Sequence, residues 1–160
     1  MKRIFFCLLV LMVGIIGAKN FDMSLLVGKT WQCDSVFDED GVAGKGSSEG
    51  IYKKNGTFSG KSKVVYTKPQ KYTLEIVESG TWELEGYELI SVIKTYSAKS
   101  KEAPEIARAI EELVTTSIKE SEERDYTEND RSTIVELTKN RLVTKSGAYN
   151  SEQTVECKAK

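Results

Sequence analysis

The chain is expected to be mainly β, an antiparallel up-and-down barrel of about eight strands with one inserted α-helix. Three observations point there. Segments that alternate apolar and polar residues recur from Thr30 to Lys158, separated by turn residues. One stretch, 104–122, changes to a helical period. Two cysteines, Cys33 and Cys157, stand in the first and last of the alternating segments. A two-sheet β-sandwich is the alternative, because the same alternation serves both architectures.

The elements follow in order. From Thr30 to Phe37, the residues Trp31, Cys33, Ser35 and Phe37 share one face of a strand. Residues 38–50 carry four glycines among acidic and hydroxyl residues and read as a loop. Ile51 to Lys53 make a short strand, and Asn55-Gly56 is a strong hairpin signal. Thr57 to Thr67 return as a strand that Pro69 ends. Tyr72 to Leu84 form the next strand, with Tyr72, Leu74 and Ile76 on one face. Ser79-Gly80 interrupts that alternation as a bulge does.

Glu85-Gly86 then turns into Tyr87 to Ser97. Pro104 opens the helix, a position where its missing N–H costs nothing. Ile106, Ala109, Ile110, Leu113, Val114 and Ile118 form its apolar stripe, and Glu111 falls on the polar face. Thr133 to Thr138 and Arg141 to Lys145 flank a turn at Lys139-Asn140. After a turn at 147–151, Glu152 to Lys158 close the set.

The N-terminus reads differently. Lys2 and Arg3 precede the uncharged run from Ile4 to Val13, and Gly14, Gly17 and Ala18 follow. A charged start, a short apolar core and small residues are the pattern of a cleavable signal peptide, here residues 1–18. The apolar run falls short of the roughly 20 residues a spanning helix needs. No stable membrane span is therefore expected after cleavage. Residues 19–160 are then a single exported domain, periplasmic or secreted.

Export also changes the cysteine arithmetic. Cys7 leaves with the signal peptide, and Cys33 and Cys157 remain as a pair expected to form a disulfide in an oxidising compartment. Such a bond requires α-carbons within about 7 Å. It would set the first strand beside the last and so close a barrel.

Some of these residues resemble a known family. Leu25-Leu26-Val27-Gly28-Lys29-Thr30-Trp31, Asn55-Gly56-Thr57-Phe58, and Gly80-Thr81-Trp82-Glu83-Leu84 before Glu85-Gly86-Tyr87-Glu88-Leu89 resemble the lipocalin-like (calycin-type) proteins of bacteria. In that family a Gly and a Trp near the start of the first strand close the base of the barrel; its later turn motif and the basic residue that packs over the Trp have no match in this sequence. The family more often has one residue between them, and here there are two. The resemblance implies an eight-stranded barrel able to hold a small molecule.

Candidate chemistry is sparse. The chain has no His, which removes the commonest general base and metal ligand. No Gly-x-Ser-x-Gly, phosphate-binding loop or dinucleotide fingerprint occurs. Gly44-Lys45-Gly46-Ser47 and Asp38-Glu39-Asp40 read as flexible and solvated segments. A net charge of −1 lacks the basic excess that nucleic acid requires. No enzymatic activity, metal or cofactor is expected.

Two binding roles remain. In one, the barrel holds a small apolar or amphipathic ligand, lined by Trp31, Phe37, Phe58, Tyr72, Trp82, Tyr87 and Ile93. In the other, the domain is an inhibitor or immunity protein for an envelope or toxin protein. Its contacts would be the 38–50 loop and the polar face of the helix.

Overall fold

The computed structural model describes residues 21–121, 131–146 and 153–160. The segment read as a signal peptide and the turn expected at 147–151 lie outside them. The elements are α1 (Met23–Leu26), β1 (Thr30–Glu39), β2 (Val42–Tyr52), β3 (Thr57–Lys68), β4 (Tyr72–Glu85), β5 (Glu88–Lys99), α2 (Pro104–Ser121), β6 (Arg131–Leu137), β7 (Arg141–Ser146) and β8 (Gln153–Ala159). The eight strands close into one barrel in chain order. Every neighbouring pair is antiparallel. The fold is the barrel that alternation and the cysteine pair predict, and the sandwich is excluded.

Closure happens where the cysteines stand. Cys33 of β1 lies directly opposite Cys157 of β8, their α-carbons 4.1 Å apart and their sulfurs bonded. Lys160 N–H also donates to the Thr30 carbonyl at 2.9 Å, so the C-terminus is tied to the start of β1. At the same end, α1 is capped by Asp22, whose carboxylate accepts from Ser24 N–H at 2.8 Å. α1 delivers Leu26 into the core and lays its carbonyl on the Trp31 indole N–H at 2.9 Å.

One expected loop is a strand. Residues 38–50 form the turn and most of β2, paired with β1 from Val42 to Ile51. Asp40 and Gly41 both take positive φ, 52° and 80°, and so make a tight hairpin between β1 and β2. Alternation places Gly44, Gly46, Ser48 and Gly50 on the face of β2 that carries Tyr52 inward. The residues that looked like loop composition are a strand with its interior face stripped of side chains. Close packing demands this at Gly44, where an added Cβ would lie 2.7 Å from Phe37 Cζ.

The bulge expected at Ser79-Gly80 is present, as a register shift between β4 and β5. The Asn55-Gly56 turn closes with Gly56 at φ 76° and Asn55 Oδ1 accepting from Thr57 N–H at 3.2 Å. On α2 the packed face is rotated from the expected stripe. Ala107 is buried, and Ile110, Glu111, Val114 and Ile118 are half-buried. Ala109 and Leu113 face outward, Leu113 at 69% exposure. The reason is Glu111, whose carboxylate turns inward to accept the Ala98 backbone N–H at 2.7 Å. That N–H lies on a stretch of β5 that β4 pairs on one side but no strand flanks on the other, because β6 pairs only with Glu88 to Ile90.

The barrel wall is accordingly uneven. β1 to β5 run 10 to 14 residues, while β6, β7 and β8 run 6 or 7. β8 pairs with β1 only from Trp31 to Asp34. The interior splits into two apolar groups. Leu26, Trp31, Phe58, Trp82, Leu89, Ile134 and Leu142 fill the end near α1. Leu74, Ala98 and Ala107 of α2, with Tyr66, Tyr72 and Tyr96, fill the other.

Candidate functional site

Beside the first of these groups the barrel holds a half-open cavity of about 230 Å³. Trp31, Phe58, Leu142 and the Cys33–Cys157 bridge border it on the α1 side. Ser48 and Gly50 of β2 and Gly60 and Ser62 of β3 form one wall. Ser48 pairs with Ser62, and Gly50 with Gly60, so four adjacent inward positions supply nothing larger than a hydroxymethyl group. At Gly50 an added Cβ would meet only the Ser59 carbonyl oxygen, at 3.8 Å. Elsewhere bulky side chains from neighbouring strands fill the room glycines leave. Phe58 Cε1 lies 2.8 Å from the Cβ position of Gly80.

The opposite wall is polar at its centre. Tyr52, Glu78, Ser91 and Ile93 line it here, with Glu49 and Ile51 of β2 completing the border. Glu78 sits on β4 opposite Gly60, and its Oε1 lies 3.3 Å from the Cβ position of that glycine. Its carboxyl occupies the room that a side chain at residue 60 would take. Burial raises its pKa above the ordinary glutamate value. Tyr52 is hydrogen-bonded to Ser91; burial raises its phenol pKa most, and the nearby Glu78 charge raises it further. The Tyr96 phenol is raised the same way, by burial first and then by Glu78. Glu49 also borders the cavity, but Lys61, at 3.0 Å, and Lys160 both pair with it. They hold its pKa down.

The residues expected to line a ligand site divide. Trp31, Phe58 and Ile93 line the cavity. Trp82 lies beneath it in the core, its ring 5.5 Å from Tyr52 and its N–H donating to the Lys53 carbonyl at 3.0 Å. Phe37 and Tyr72 gather instead around Tyr66 at the α2 end, with ring centroids 5.5 Å and 4.6 Å from it. Tyr87 stands on the β4–β5 turn, 41% exposed, against Phe21. Tyr52 and Glu78 are the site residues that sequence reading passes over. A signal existed for Glu78: it shares the alternating face of Tyr72, Leu74 and Ile76. At the base, Lys29 Nζ lies 5.7 Å from the Trp31 ring centroid and donates to the Leu25 and Lys139 carbonyls, each at 2.9 Å.

The chain matches no protein-family model and no curated protein.

Proposed function

We propose that this protein is an exported, non-enzymatic, lipocalin-like binding protein that holds one small amphipathic molecule inside its barrel. The cavity at mid-barrel carries the reading. A core built only for stability is close-packed, with few voids larger than a water molecule. Here about 230 Å³ of space stands open beside Gly50, room for several waters. Its lining joins aromatic faces to hydroxyls and one carboxyl, the mixture that fixes an amphipathic guest. The Cys33–Cys157 bond supports an oxidising compartment, and hence export. Lys29 over Trp31 supports the lipocalin-like reading of the barrel base.

The experiment is native mass spectrometry of protein purified without detergent, compared with Gly50→Val. The expected result is a non-covalent adduct on the wild type that the variant lacks. A folded wild-type protein that never carries or accepts a small molecule ends this reading.

A second reading rests on α2. Leu113 and Ala109 form an exposed apolar strip on its outer face. Such a strip suits an inhibitor or immunity protein that docks an envelope or toxin protein. Leu113→Glu should then abolish capture of that partner while leaving the melting temperature within about 2 °C.

A further inference from the structure

We propose that Glu78 makes the mid-barrel cavity selective for small primary amines that carry an apolar body. The inference rests on the binding role proposed above and names its ligand class. Glu78 is the carboxyl on the cavity wall without an ion pair or hydrogen bond among the described residues. Glu49, the other carboxylate at the border, is already matched by Lys61 and Lys160. No Lys or Arg lines the cavity. A half-buried, unpaired carboxyl of this kind gains most from a guest that brings its own positive charge.

The surroundings fit the rest of such a guest. Trp31, Tyr52 and Phe58 present rings around the same space, and ring faces attract an ammonium while ring bodies accept an apolar group. Tyr52 and Tyr96 are the titratable groups facing Glu78 from β2 and β5, and both stay neutral at physiological pH because their phenols are raised. They add no competing charge. A carboxylate guest would meet Glu78 as a like charge and be excluded. The space admits a guest of about eight to ten non-hydrogen atoms.

Three probes of one size separate the possibilities: 2-phenylethylamine, 2-phenylethanol and phenylacetate. Calorimetric titration of each into the disulfide-bonded protein at pH 7 should show the amine binding about tenfold tighter than the alcohol, with phenylacetate not binding. In Glu78→Gln the amine should fall to the affinity of the alcohol. In Gly50→Val, which fills the cavity but keeps Glu78, all binding should be lost. Equal affinity of amine and alcohol for the wild type overturns the amine inference and leaves the binding role standing. An amine preference that survives Glu78→Gln, or that persists in Gly50→Val, also overturns it. If none of the three binds, both readings fall for guests of this size.

Discussion

At the scale of single residues, the interior is governed by what is missing. Gly80 and Gly50 are both inward glycines, yet they differ in kind. At Gly80 a Cβ would lie 1.9 Å from the Val92 carbonyl oxygen, backbone that cannot step aside. Gly80→Ala should therefore cost about 3 kcal/mol or more, read by urea denaturation. Gly50→Ala meets open space and should be neutral or stabilising by up to about 1 kcal/mol. Glu78 gives a pH signature. Its folded-state pKa is raised, so the folded protein holds this proton more tightly than the unfolded chain does. The resulting stability is present below the ordinary glutamate range and is lost as pH rises through the raised value. Glu78→Gln should thus melt about 2–4 °C above the wild type at pH 7 and show no gain at pH 4. An equal gain at both pH values would mean that the carboxyl is not the cause.

At the scale of elements, legibility followed side-chain pattern. β1, β4 and β5 alternate clearly, and α2 is marked by its period and by Pro104. β2 was hidden because alternation is read from apolar side chains, and its inward face has Gly44, Gly46, Ser48 and Gly50 instead. The feature that disguised the strand is the one that makes the cavity. Four of the seven expected liners lie away from the cavity, three of them for a related reason. Trp82, Phe37 and Tyr72 are aromatic and inward, but position along the barrel decides whether a ring meets core or cavity, and periodicity does not encode depth. α2 was rotated by a polar contact that no hydrophobic stripe reports. Glu111→Ala should weaken the docking of α2 by about 1–2 kcal/mol. Faster hydrogen exchange at the Ala98 amide, with the strand amides of β2 and β3 unchanged, is the expected reading.

At the scale of the whole molecule, the disulfide spans 124 residues and ties the first strand to the last. Replacing both cysteines by serine should lower stability by about 2–5 kcal/mol in denaturant unfolding. The bridge joins neighbours that the ladder already pairs, so the barrel should still form in the double variant. Loss of its β-sheet circular dichroism under native conditions would show that the bridge is needed for closure itself. This closure was legible because the two cysteines mark the two edges that meet. Barrel and sandwich differ only in whether those edges touch.

The unequal strand lengths have a kinetic meaning. Above the short β6 to β8 segment, the edges of β1 and β5 that face β8 and β6 have no strand partner among the described residues, and α2 lies against β5 there. A guest leaving the cavity on that side would break no interstrand ladder. If α2 covers that side, the helix would have to lift for it to leave. Residence time would then follow undocking of the helix rather than strain in the barrel. Were that so, Glu111→Ala should shorten residence by more than it weakens affinity, because entry and exit would share one gate.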